Sequence, residues 1–240
     1  MLITALVFAT AIHGAVPARS ILVFSKTAGF RHDSIPVGRA AIVEMGVARG
    51  WTVTCSEDAS EIDSAKLKSF DAVVFLSTTG TILDGKQEKA LIGFIHGGGG
   101  FVGVHAAADC EYKWPWYGKL VGAYFEQHPA QQDAVVKIED TTHPSTKDLP
   151  NPWRRRDEWY DYRTNPRSSV RVLACLDPTS YTGSKMLHDH PIVWCQEFEG
   201  GRSWYTGMGH TQESYKDPAY LKMLEEGIEW ACGKSKRGDR

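Results

Sequence analysis

Strands alternating with helices predict an α/β fold with a mostly parallel sheet and helices on both faces, and three observations carry that prediction. Ile21 to Phe24, Asp71 to Leu76 and Phe101 to Val104 are short apolar runs, the signature of parallel strands covered on both sides. Helical patterns fill the intervals between such runs, from Val37 to Arg49 and from Leu83 to His96. Each strand then ends in a polar loop. Such alternation implies right-handed crossovers and a common carboxyl edge for the strands.

The elements follow in order. Ile21 to Phe24 leads through Ser25 to Ser34 into the first helix, with Pro36 near its start and Gly50 closing it. Trp51 to Cys55 alternates and is β-branched, so it is the second strand. Asp71 to Leu76 is the third, and the helix from Leu83 carries Leu91, Ile92, Phe94 and Ile95. Gly97 to Gly100 ends that helix, Gly103 lets a neighbouring backbone approach, and the alanines after His105 can begin another helix. Asp133 to Ile138 and Val170 to Leu176 read as strands, with a turn-rich connection from His143 to Pro152. Pro191 to Phe198 and Ser203 to Thr206 form a hairpin about Gly200-Gly201. Asp217-Pro218 caps a last helix whose apolar face holds Leu221, Leu224, Ile228 and Trp230.

A chain of 240 residues suits one large domain. Lys and Arg number 27 against 29 Asp and Glu, and they are scattered, which argues against nucleic acid as a partner. Leu2 to Ile12 followed by Gly14 to Ala18 has the length and small residues of an export signal, so residues 1–18 are expected to be a signal peptide, 19–233 a single α/β domain and 234–240 a flexible tail. Export places the mature protein in the periplasm or outside the cell; if the segment is no signal, the location is cytoplasmic. No later run approaches the ~20 apolar residues of a membrane span. Five cysteines without a C-x-x-C pair indicate buried thiols rather than a zinc knuckle, although export would permit one or two disulfides.

Parallel strands bring distant residues together at their carboxyl ends, where open α/β sheets bind ligands. The loops Thr27 to Ser34, Ser77 to Gly80 and His105 to Asp109 converge there, so His32, Asp33 and His105 can meet. His210 follows another strand through Gly207-Met208-Gly209. Adjacent Asp157 and Glu158 point to opposite faces of a strand, so one of them at most faces the crevice. The aromatic stretch from Trp114, Trp116 and Tyr117 to Tyr124, Phe125 and His128 suits either stacking on a sugar ring or packing over the sheet.

The segments Lys26 to Ser34, Gly99 to Asp109, Trp114 to Tyr117, Asp157 to Tyr160 and Gly207 to His210 together resemble the ThuA-like, or trehalose-utilisation, family over roughly Ile21 to Gly233. The resemblance implies a flavodoxin-like three-layer sandwich akin to class I glutamine amidotransferases, and a link to disaccharides, including sugars oxidised at the 3-position. It also favours Glu158 over Asp157. Phe101 to His105 places histidine where an amidotransferase presents its nucleophilic cysteine, and Cys110 cannot occupy that elbow, so glutaminase activity is not expected. No G-x-S-x-G elbow supports a serine hydrolase. Gln196 stands where relatives often have histidine and is left out of the ligand set.

The expected centre is therefore His32, His105, His210 and Glu158 as catalytic residues. The three imidazoles are candidate ligands for a divalent metal such as zinc, with no nucleotide cofactor. Arg31, Asp33, Asp109, Trp114, Trp116, Tyr117, His128 and Tyr160 are expected to bind substrate. His96, His143, His188 and His190 read as loop or helix-end residues. A 3-keto sugar, unlike trehalose, has an acidic proton beside its carbonyl, and its removal opens isomerisation or elimination; a metal would stabilise the resulting charge. The expectation is a sugar-processing enzyme, whether isomerase, lyase or hydrolase. The alternative is a non-catalytic carbohydrate-binding or sensing protein that uses the same crevice.

Overall fold

The computed structural model describes residues 19–233; the leader and tail expected from the sequence lie outside them. A nine-stranded sheet runs through the molecule in the order β2-β1-β3-β4-β11-β10-β9-β6-β7. Its parallel half consists of β1 (Ser20–Phe24), β2 (Thr52–Ser56), β3 (Ala72–Leu76), β4 (Gly100–Val104) and β11 (Gly201–Thr206). Its antiparallel half consists of β10 (His190–Phe198), β9 (Arg171–Leu176), β6 (Gln132–Ile138) and β7 (Trp153–Asp157). β5 (Phe125–Gln127) and β8 (Asp161–Tyr162) form a separate pair.

Chain direction places the helices. From β1 the chain moves one way across the sheet to β2 through α1 (Ile35–Arg49), and from β3 it moves the other way to β4 through α2 (Gly85–His96). Right-handed crossovers in opposite directions put those helices on opposite faces. α4 (Pro218–Cys232) shares the face of α1 and packs its Gly227 against Trp204, whereas the next residue back along β11, Ser203, donates to Leu120 of α3 (Pro115–Val121) on the other face. The result is a three-layer α/β sandwich of flavodoxin-like type. Its core holds the fully buried Trp159, Trp194 and Trp204, with Trp194 stacked on Tyr205 at 4.4 Å.

Two local expectations need correction. The alanines after His105 form only a short 3-10 turn over His105–Ala108. Gly80 and the loop after β3 capture the chain at once, because Gly80 donates to Asp109 O and Glu111 donates back to Gly80 O. In the hairpin, Phe198 pairs with Gly201, so the turn is Glu199-Gly200, both at positive φ (45° and 94°), and this left-handed geometry matches the twist of the flanking strands.

The antiparallel half does not stay flat. β7 stands five strand spacings from β4, about 24 Å on a plane sheet, yet Glu158, one residue beyond β7, reaches within 3.3 Å of His105, one residue beyond β4. The sheet therefore curls back over α4, where the Arg155 guanidinium lies 4.8 Å from the Tyr220 ring and 4.7 Å from that of Trp153. The loop between β6 and β7 closes the far end: His143 is buried against Trp230, and Ser145 accepts from the Trp204 indole at 3.1 Å. The cysteines among these residues are all free thiols, and no described helix is long and apolar enough to cross a membrane.

Burial, reinforced by the Arg171 and Arg202 charges, lowers the His143 pKa from 6.5 to about 4. The native imidazole thus stays neutral while the unfolded one gains a proton, so this contribution to stability is complete above pH 6.5 and is lost as pH falls from about 6.5 to 4. Thermal unfolding at pH 7 and pH 4.5 should show a smaller acid-induced drop in Tm for His143→Gln than for the native protein. An equal drop in both would remove His143 as a source of acid sensitivity.

Candidate functional site

The carboxyl ends of β1, β4 and β11 deliver His32, His105 and His210, and the curled edge returns Glu158 to meet them. One nitrogen or oxygen from each of the four residues lies within 4.8 Å of those of the other three. The His105 and His210 rings stand 4.8 and 5.0 Å from that of His32, each nearly perpendicular to it. Glu158 Oε2 is 3.3 Å from His105 Nε2 and 3.1 Å from His210 Nδ1, and Oε1 is 3.3 Å from His128 Nδ1.

Local structure explains each placement. His105 follows β4 at φ 50°, a left-handed conformation that costs roughly 1–3 kcal/mol in a residue with a side chain. It is held by the Tyr205 hydroxyl donating to its carbonyl at 2.8 Å and by Nδ1 meeting Gly207 O at 2.9 Å. A carbonyl only accepts, so Nδ1 carries a hydrogen, and Nε2 is the nitrogen turned toward Glu158 Oε2 at 3.3 Å and His210 Nδ1 at 3.2 Å. His210 is aimed by the loop after β11, where Gly209 at φ 107° passes beneath the hydroxyls of Tyr215 and Tyr220. Tyr160 walls the site, its buried ring 4.1 Å from that of His105.

The environments drive the groups apart electrostatically. Burial, with the neighbouring imidazoles, lowers His32 from 6.5 to about 2, so it is neutral. Burial alone would raise the Glu158 carboxyl, but hydrogen bonds from His105 and His210 outweigh it and hold Glu158 well below the usual carboxylate range. Burial also works against a proton on His210, and there the hydrogen bond and charge of Glu158 prevail and raise its pKa. His32 Nδ1 is buried with no hydrogen-bond partner among the described residues. Three imidazoles, one with an unclaimed buried nitrogen, beside an ionised carboxylate fit a divalent cation with an open coordination position. The other acid-rich group, Glu139, Cys175 and Asp189, is already filled by Arg167, which donates to all three.

The remaining candidates divide. Arg31, Asp33 and His210 line an open depression of about 460 Å³ with Phe30, Gln131 and Gln212; Arg31 is paired with Glu57 at 2.8 Å and Asp33 accepts from Gln212. Asp109 is half-buried beside the cluster, accepts from the Tyr112 hydroxyl at 2.6 Å, and has its pKa raised by burial. His128 packs against Tyr160.

Trp114, Trp116 and Tyr117 are not brought to the cluster. Trp116 donates to Glu199 in the turn that precedes β11, at the opposite end of the sheet, and stacks on Trp114. Tyr117 is fully buried against Phe75 and Phe101 and serves the core. A cavity of about 820 Å³ around Leu67, Phe70, Ala90 and Phe94 also lies away from the cluster. His190, expected in a loop or at a helix end, is buried at the start of β10 and meets Tyr160 O at 2.8 Å, thereby steadying the wall. Gln196 donates to Lys119 O and Leu120 O, away from the site. Gln131, whose amide lies 2.7 Å from His210 Nε2, carries no signal in the sequence, because it stands in the irregular segment just before β6.

Comparison with known proteins bears on the family and the fold. Residues 20–231 match the ThuA family model, described as trehalose utilisation. A ThuA-like protein from Bacteroides uniformis superposes with a TM-score of 0.81 at 25% identity, over 95% of this chain and 97% of that one. A second, from Parabacteroides merdae, gives 0.74 at 18% identity, over 90% and 91%. A β-galactosidase from Rahnella sp. R3 shares the fold at a TM-score of 0.55 and 15% identity, over 89% of this chain and 32% of that enzyme. No curated protein matches.

Gly209→Ala should lower Tm by roughly 3–10 °C, since a left-handed φ and a collision with the Tyr220 hydroxyl together cost about 1–3 kcal/mol. An unchanged melting curve by circular dichroism would show that the loop relaxes freely and that His210 is not held by it.

Proposed function

This chain belongs to the ThuA, or trehalose-utilisation, family, and on that premise we propose that it is a sugar-processing enzyme. It moves a proton beside the carbonyl of an oxidised disaccharide, as an isomerase or a lyase does. The observation that carries this reading is the cluster itself: three imidazoles and an ionised carboxylate gathered within 4.8 Å, with a buried His32 nitrogen left unclaimed.

His32, His105 and His210 would hold a divalent metal such as zinc, which supplies Lewis-acid stabilisation of negative charge developing on a carbonyl oxygen. The chain's own groups do the rest. Glu158 is ionised and can accept the proton. His128, half-exposed, turns toward Glu158 Oε1, at 3.3 Å, the Nδ1 hydrogen that it also donates to Pro129 O at 2.9 Å, so it steadies the carboxylate at the edge of solvent. Tyr160 and Phe125, with ring centroids 4.2 Å apart, present an apolar surface that limits water on that side. Arg31 and Asp33 at the rim supply polar contacts to sugar hydroxyls. Cys110 is buried and its thiol is pushed up by that burial, which supports a reading other than glutaminase.

The test combines metal analysis of the purified protein with deuterium exchange into 3-keto-trehalose, with and without chelator. The expected outcome is one metal per chain, reduced in His105→Ala, and exchange that falls by at least about 100-fold in Glu158→Gln. Absence of both metal and exchange, with sugar affinity retained, would replace the enzyme by a carbohydrate-binding protein.

A further inference from the structure

Asp157 is a buried carboxylate that the proposed chemistry leaves unused. Fully buried at the end of β7, it accepts at Oδ1 from the backbone amides of Glu158 (3.0 Å) and His210 (3.1 Å). At Oδ2 it accepts from the Gly209 amide (2.9 Å), Ser214 Oγ (2.9 Å) and Arg155 Nη2 (3.1 Å). Two of those donors belong to the cluster residues themselves. They arrive from strands four places apart in the curled sheet, Glu158 from the edge strand β7 and His210 from the loop after the central strand β11. A simple charge partner for Arg155 would need only one of these contacts.

We infer that Asp157 is a positioning residue for the site: by binding the backbones of Glu158 and His210 together, it sets the 3.1 Å separation of their side chains. The inference rests on the proposed role of that cluster. Its physical basis is that a carboxylate is an acceptor at both oxygens, and both here face donors only. Asparagine has nearly the same shape but must turn its amide hydrogens toward either the Glu158 and His210 amides or the Gly209, Ser214 and Arg155 donors. Whichever way it turns, one side of the junction opens. Groups that orient ligands in this way commonly affect metal affinity by 10- to 100-fold when removed.

Cobalt(II) titration of the full chain, followed by visible absorption, reads both affinity and coordination geometry without reference to turnover. For Asp157→Asn the expected result is binding about 10- to 100-fold weaker with an altered d–d spectrum. Ser214→Ala removes one donor and spares the backbone contacts, so binding about 2- to 5-fold weaker is expected. Native affinity and spectrum in Asp157→Asn would overturn the inference, and so would an unchanged Ser214→Ala if Asp157→Asn does not fold. Should the native protein bind no cobalt, the metal part of the proposed function fails separately. The crystal structure of metal-free Asp157→Asn then decides: Glu158 Oε2 and His210 Nδ1 parted by more than about 1 Å supports the positioning role, and an unchanged separation rejects it.

Discussion

A buried carboxylate without partners is costly, and the cost of Glu158 is met only where histidines from separate strands surround it. Two of those histidines, His105 and His210, follow the adjacent strands β4 and β11, whereas Glu158 follows β7 at the far edge of the same sheet. The pairing therefore requires the curl, and the curl requires what holds it: Arg155 between Trp153 and Tyr220, Asp157 on the loop after β11, and the β6–β7 connection against Trp204 and Trp230. Packing over α4 and electrostatics at the strand ends are two aspects of one closure.

That closure also assigns the protonation states. Three imidazoles in similar surroundings would compete for protons, but the cluster separates their behaviour. His32, buried among the other imidazoles, is neutral; His210, hydrogen-bonded to Glu158, is the one whose hold on a proton is strengthened. Pairs of titratable groups pushed apart by their environments are a mark of acid–base sites. The strained φ of His105 falls at the same cluster, where backbone strain is commonly held in place by the surrounding contacts.

Residues read along the chain were sorted well where local rules govern them. The expectation that Asp157 and Glu158 face opposite ways follows from strand geometry, and in the structure one binds the protein interior while the other joins the histidines. The aromatic stretch was undecidable by the same rules, because Trp114, Trp116 and Tyr117 suit a sugar platform and a core equally. Their position at the amino end of β11 and against β4 takes them away from the histidine cluster. Gln131 and the three distant donors to Asp157, from Gly209, His210 and Ser214, gave no local sign, since hydrogen bonds between segments far apart in the chain have no periodicity.

Strands β1 to β4 with their helices, the strand ends that carry His32, His105 and His210, and the likeness to the trehalose-utilisation family were legible along the chain. Apolar runs, helix caps and glycine turns are short-range constraints, so they can be read without coordinates. The return of β7 that inserts Glu158, the clasp of Asp157 on the two arms of the site and the placement of Trp114 and Trp116 away from it emerge only from the folded molecule. Those features arise from contacts between residues far apart in the chain, and the curvature of a sheet is set by everything packed against it rather than by any one segment.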